Sequence, residues 1–528
     1  MGNKKTTKNI STSSINSESH EQSFSFVHIK KAIIGNSYAL LFFITLIGMI
    51  LRFYRLGAES IWLDEGTSIQ MAKQSLYTII FDNKDFAHPP LFYSILHFVI
   101  MYSDSEFFVR LPSAIFGTLS IPLIYLLGSS FFSKREGLIS SFLMAISVMQ
   151  INYSQEGRSY ALMMLLALLT IYLFISAYKD NNRTKWIISA ISGTLLVYSH
   201  FFGFFVIGAI GIFYILDNFD FVSLRFNPKS TDKMFMISAV SFVLLSLPMI
   251  LWVLGELGYA TGHKTWGMAQ EGFFYNIFIS FSNYSKITMF MYIPLMLAGL
   301  VFCLKDSKKW FSLIALWLFI PLVTGYFLAG SMPFQPRYLL FIMPAFLLLI
   351  SKAIVSIADI LTTVSNSDRS VNRGKKRTVS EAKNKSSNNT NGKSMFVIIS
   401  VVMLVILISY TPLYNYYTTS HKNDWRDTSV FIASITEPGD YVAPLPGYMG
   451  QALMYYYDNS SDGTFYANTQ YSESGLTSYV KGKQRVWFLV TGDISAANPN
   501  GSAVSWLQNN AFFVKNITGI YIFTYPAL

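Results

Sequence analysis

One cysteine, Cys303, stands among 528 residues, which excludes an intramolecular disulfide and a cysteine-based metal cluster. Charge is scarce as well. Asp, Glu, Lys and Arg make up 13% of the chain, against roughly 25% in soluble globular proteins. Acidic residues are the scarcer sign, 29 against 40 Lys and Arg, for a formal net charge of +11. A Gly-rich phosphate loop and a 20–50-residue repeat are both missing. What fills the chain is apolar, with 52% hydrophobic and 16% aromatic residues. These shortages exclude a soluble enzyme and a disordered protein. A basic excess on a soluble chain points to nucleic acid. Here the basic residues sit between long apolar runs, so the charge reads as an orientation signal and no nucleic-acid partner is expected.

Crossing a bilayer takes roughly 20 apolar residues, while runs of about 10–14 belong to interfacial or re-entrant segments. Candidate spans lie near 35–53, 107–131, 137–152, 160–178, 186–200, 202–217, 234–254, 286–304, 310–329, 338–360 and 395–411, about eleven in all. The apolar run Leu91–Tyr102 is short and follows His88-Pro89-Pro90. If it lies flat on the membrane, the basic loops at Lys134/Arg135, Lys179/Arg183/Lys185, Arg225/Lys229/Lys233 and Lys305/Lys308/Lys309 all fall inside, as the positive-inside rule asks. If it spans, they fall outside. The flat arrangement is therefore expected. It gives a multi-pass integral protein of the cell membrane. Residues 1–31 are a polar, disordered cytoplasmic tail, 32–411 the transmembrane domain, and 362–394 a basic cytoplasmic linker. Residues 412–528 are expected as an external α/β domain, with helices over Asp424–Thr436, Met449–Tyr457 and Ala503–Asn509. Its strands are expected over Tyr441–Leu445, Val486–Thr491 and Ile520–Tyr525.

This topology gathers polar residues at the external face. The first external loop, near 54–106, carries Asp64, Glu65 and His88; an external loop of that length is uncommon without a function. Arg110, Glu156, Arg158, Tyr160, His200, Arg337 and Tyr338 stand at outer ends of later spans. Taken singly, each has a structural reading: loops are polar, and a lone Arg at a span end is usually a snorkelling anchor. Together they suit a lipid phosphate, since arginine binds phosphate bidentately and a carboxylate can serve as general base.

Asp64-Glu65 followed by His88-Pro-Pro-Leu resembles the dolichyl-phosphate-mannose–protein mannosyltransferase superfamily. Arg110-Leu-Pro-Ser-Ala-Ile-Phe-Gly-Thr-Leu, Ser154-Gln-Glu-Gly-Arg158-Ser-Tyr160, Arg337-Tyr338-Leu-Leu-Phe-Ile-Met-Pro344 and Asp424-Trp425-Arg426 resemble its prokaryotic branch. The resemblance runs over roughly residues 35–440. It implies a mostly α, polytopic GT-C membrane fold with a juxtamembrane helix in the first external loop. It further implies a polyprenyl- or dolichyl-phosphate sugar as donor, and inverting transfer to a hydroxyl of a glycan, lipid or protein. Asp64 matches the catalytic base, with Glu65 and His88 at adjoining active-site positions. Arg110, Arg158 and Arg337 match arginines near the donor phosphate. A divalent cation on Glu65 and His88 is compatible with the sequence and not required by it. The Trp-Trp-Asp-Tyr-Gly motif of oligosaccharyltransferases is missing, as are the mid-chain soluble repeats of eukaryotic protein mannosyltransferases. A multispan transporter or flippase is the alternative; its signs would be inverted repeats and mid-membrane charges, and neither is seen in the sequence.

Overall fold

The computed structural model describes residues 37–82, 88–220, 225–226, 232–262, 270–371, 379–457 and 472–526. The expected tail 1–31 and part of the basic linker lie outside them.

The chain enters with α1 (Ser37–Phe53), then builds the first long loop from α2 (Leu63–Ala72), α3 (Leu76–Phe81) and α4 (Leu91–Ile100). There follow α5 (Glu106–Phe131), α6 (Lys134–Ala145), α7 (Val148–Ser154), α8 (Tyr160–Asp180), α9 (Arg183–Ser199), α10 (Gly203–Asn218) and α11 (Asp232–Gly262). Next come α12 (Phe273–Phe281), α13 (Lys286–Asp306), α14 (Lys308–Ser331), a 3-10 turn over Pro336–Ile342, α15 (Met343–Val371) and α16 (Val379–Thr418). Helices occupy all eleven expected span positions. Among the described residues seven are long and apolar enough to cross a bilayer, and α6 with α7, bent by 61°, makes an eighth. Of the other three, α1 and α9 have 17 residues and α10 has 16. At 1.5 Å per residue these fall somewhat short of a hydrocarbon core of about 30 Å.

α4 has 10 residues, about half the length of a span. Pro90 precedes its first turn, a position where a missing N–H costs nothing. Phe92, Tyr93 and Leu96 are buried against α2 and α5, while Phe98 and Met101 stay exposed. His97 Nδ1 lies 2.7 Å from the Ala72 carbonyl, tying α4 to the end of α2.

The bend between α6 and α7 has a definite partner. Arg52, fully buried in α1, donates from Nη1 to the carbonyls of Gly48 (3.0 Å) and Ala145 (3.1 Å) and from Nη2 to that of Met144 (3.1 Å). The last carbonyls of α6 have no partner within the helix, and the guanidinium takes two of them.

The two ends of the bundle differ in chemistry. At one end Arg135 forks onto Asp359 at 2.8 and 2.9 Å, Ser394 donates to the same carboxylate at 2.6 Å, and Lys309 pairs with Asp217 at 3.3 Å. At the other end lie α2, α4, the turn 155–159, His200 and the 3-10 turn carrying Arg337.

α16 runs on to Thr418, beyond the expected end of the last span at 411. After it come α17 (Trp425–Ile435), β1 (Tyr441–Leu445), α18 (Gly450–Tyr456), α19 (Glu473–Val480), β2 (Val486–Thr491), a short α20 (Ile494–Ala497), α21 (Ser502–Asn510), β3 (Phe512–Ile517) and β4 (Ile520–Tyr525). Asp424 caps α17 by accepting from the Asp427 N–H at 3.0 Å. The sheet order is β1-β2-β4-β3, with β1 and β2 parallel and the other pairs antiparallel. Every residue of β2 is buried. Successive side chains on a strand face opposite ways: Trp487 and Leu489 pack with Trp425 and Ile432 of α17, while Phe488 and Val490 pack with Leu476 of α19 and Trp506 of α21. β3, which completes a hairpin, is a strand additional to those the sequence pattern predicts.

This α/β unit docks on the first loop. The Ser60 hydroxyl accepts from the Trp425 and Arg426 N–H groups at 3.1 and 3.2 Å. Tyr456 OH accepts from the Ile61 N–H at 2.7 Å and donates to Glu106 at 2.8 Å, and Arg426 Nε adds a bond to Glu106 at 2.9 Å. A Cβ on Gly66 would stand 2.8 Å from the Gln451 carbonyl, so α2 and α18 meet backbone to backbone.

Candidate active site

Asp64 and Glu65 share the first turn of α2. Neighbours on a helix point about 100° apart, and here the two carboxylates part company. Glu65 is fully buried. Its Oε1 accepts from Arg110 Nε at 2.7 Å and from the Gly157 N–H at 2.9 Å; its Oε2 accepts from Arg110 Nη2 at 2.8 Å and Lys422 Nζ at 3.1 Å. Burial alone would raise its pKa, but Arg110 and Lys422 outweigh it and hold the carboxyl at about 2. Asp64 keeps 19% of its side chain exposed and pairs with Arg337, Oδ2 to Nη2, at 3.1 Å.

The three arginines named from the sequence are employed differently. Arg110 also donates to the Leu56 (3.0 Å), Glu59 (2.9 Å) and Ser60 (3.0 Å) carbonyls. With the two bonds to Glu65, all five guanidinium donors are taken. Arg158 Nη1 reaches the Asp64 carbonyl at 3.1 Å and Ser68 Oγ at 3.2 Å, and its Nη2 lies 2.9 Å from His88 Nε2. It thus joins α2 to the turn before α4. Arg337 sits among three rings, its guanidinium carbon 5.5 Å from the centroid of Trp62 and 5.8 Å from those of Tyr160 and Tyr338. Its Nε is buried with no hydrogen-bond partner.

His88, His200, Tyr160 and Tyr338 form one aromatic cluster beside that cage. His200 lies 5.7 Å from His88, 5.8 Å from Tyr160 and 6.1 Å from Tyr338, centroid to centroid. Glu156 is buried nearby, and its Oε2 has no hydrogen-bond partner. Burial pushes its carboxyl up to about 7, against the pull of Lys422 and Arg337. The structure therefore brings together all ten residues singled out from the sequence. Glu65 and His88, the pair considered for a divalent cation, each face an arginine. Among the described residues no three His, Cys, Asp or Glu side chains are placed to hold a metal ion.

Sequence reasoning missed Lys422, Trp62's contact with Arg337, and Ser60. Lys422 follows the last span in a polar stretch, and a lysine there carries no pattern that marks it. Burial and the nearby Arg110 push its pKa down, while Glu65 and Glu156 support its charge. Behind the Glu65 cluster, away from Asp64, lies a cavity of about 290 Å³ lined by Arg55, Glu59, Arg110, Gln155, Tyr416 and Lys422.

Known proteins resemble this chain over part of the sequence and in the fold. The sequence profile described as dolichyl-phosphate-mannose-protein mannosyltransferase matches residues 87–252. No curated protein matches the chain in sequence. Among solved structures, ArnT from Cupriavidus metallidurans in the apo state aligns at a TM-score of 0.57 and 11% identity, covering 91% of this chain and 97% of that one. The same protein bound to undecaprenyl phosphate gives 0.56 at 11%, covering 92% and 98%. The oligosaccharyltransferase of Archaeoglobus fulgidus gives 0.55 at 12%, covering 92% of this chain and 74% of that one. The chain is an integral membrane protein that shares the GT-C fold of these structures.

Proposed function

We propose that this chain moves a sugar from a polyprenyl-phosphate donor to a hydroxyl acceptor on a glycan, lipid or protein, with inversion, at the external face of the membrane. The observation that carries the reading is the pairing of an accessible carboxylate, Asp64, with Arg337, whose Nε is still unpartnered. Asp64 takes the acceptor proton as the acceptor oxygen bonds to the anomeric carbon, and the bond from that carbon to the phosphate oxygen breaks. The phosphate leaves with the electron pair, and Arg337 neutralises it; fixed charge in a water-poor site stabilises such a leaving group strongly. The developing oxocarbenium character is favoured by a nearby carboxylate. Glu65 holds the helix that presents Asp64. The solved relatives in complex with undecaprenyl phosphate and with a dolichol-phosphate support the donor class. The basic cluster at the opposite end of the bundle supports the external placement of the site by the positive-inside rule.

The test is transfer from radiolabelled polyprenyl-phosphate sugars in membranes that carry Asp64→Asn. General-base loss typically costs about 10²–10⁴-fold, and the rate is expected to fall by that order. Transfer near the wild-type rate would remove Asp64 as the base.

A further inference from the structure

Arg337 faces two demands. Its Nη2 stands 3.1 Å from Asp64 Oδ2, an ion pair on one of the two carboxylate oxygens. In the reaction, the same guanidinium is wanted by the donor phosphate. The way Arg337 is held lets it serve both. Arg110 is locked by a complete set of directional bonds to Glu65 and three carbonyls. Arg337 instead rests among Trp62, Tyr160 and Tyr338 at 5.5 to 5.8 Å. Tyr338 also hydrogen-bonds the guanidinium, so the cage holds Arg337 through ring faces together with a directional contact. Both partners keep some solvent exposure, Arg337 with 15% and Asp64 with 19% of the side chain exposed. The buried Nε is a further donor with no present employment.

We propose that Asp64 and the donor phosphate compete for Arg337, so that an arriving lipid phosphate displaces the Asp64–Arg337 ion pair. A carboxylate and a phosphate offer the fork the same geometry, and arginine pairs bidentately with either. Once Arg337 turns to the phosphate, Asp64 Oδ2 gives up this ion pair. This inference rests on the proposed roles of Asp64 and Arg337.

The experiment measures binding of undecaprenyl phosphate, which carries no sugar, to the full-length protein in phosphatidylcholine nanodiscs, so no acceptor need be known. If Asp64 competes for Arg337, Asp64→Asn binds the lipid roughly tenfold more tightly than wild type, equivalent to about 1.4 kcal/mol. Arg337→Met weakens binding, and in the double variant the gain from Asp64→Asn disappears, as a shared partner requires. Where Arg337→Met fails to fold, Arg337→Lys takes its place. A point charge cannot reproduce the fork, so the gain is then expected to shrink to roughly threefold or less. Unchanged or weaker binding by Asp64→Asn overturns the proposal. So does an equal gain with and without Arg337, which would mean plain repulsion between Asp64 and the phosphate. The failure of the underlying reading looks different: Arg337→Met binding as well as wild type removes the phosphate role of Arg337, whatever Asp64→Asn does.

Discussion

At the residue scale, the site separates two adjacent carboxylates by their neighbours. Asp64 and Glu65 are legible in the sequence as an acidic pair in a long polar loop. Which of them stays accessible is not legible. The cations that immobilise Glu65, Arg110 and Lys422, stand 45 and 357 residues away along the chain, and only the fold brings them to one oxygen pair. Glu156 offers a test of the same electrostatics. Burial raises it from 4.5 to about 7. A folded-state pKa above the unfolded one contributes stability that is complete below the unfolded value and is lost as pH rises through the folded value. Wild type is therefore expected to lose melting temperature relative to Glu156→Gln between pH 4.5 and about 7. Parallel melting curves for the two proteins across that window would show that Glu156 titrates normally.

At the element scale, apolar run length locates the helices well, because a span and its helix are set by the same requirement that every backbone group be bonded inside lipid. The interruption of the third span at Ile146 and Ser147 escapes that reading. Neither proline nor glycine marks it, and the compensating group is Arg52, on another helix. Arg52→Met leaves the Met144 and Ala145 carbonyls without that partner, and each unmet buried group costs roughly 1–3 kcal/mol. Such a variant is expected to melt several degrees below wild type in detergent, with Arg52→Lys between the two. An unchanged melting temperature would mean that water or a helix shift satisfies those carbonyls. The strand β3 escaped for a different reason. Its side chains are largely exposed, so it lacks both the continuous buried run of β1 and β2 and the alternation of β4.

At the scale of the whole molecule, the candidate site is assembled from the first loop, the ends of α5 and α8 and the 3-10 turn that meet it, and the segment after the last span. Lys422 is the sharpest expression of this. Lys422→Met removes one of two cations on Glu65 and is expected to lower transfer at least about tenfold, within the range for loss of a positioning contact. Undecaprenyl-phosphate binding should change less than transfer. Equal losses in both would make Lys422 a binding residue instead. The same contact sets an order on biogenesis. Asp64 and Glu65 leave the ribosome early, yet the cluster that fixes them is incomplete until residue 422 has been made and has reached the face where Glu65 waits. A nascent chain, or one cut short after any earlier span, carries the carboxylates without their full set of counter-charges. If Lys422 positions Glu65 as proposed, full activity is expected only after the segment beyond the last span has folded onto the first loop.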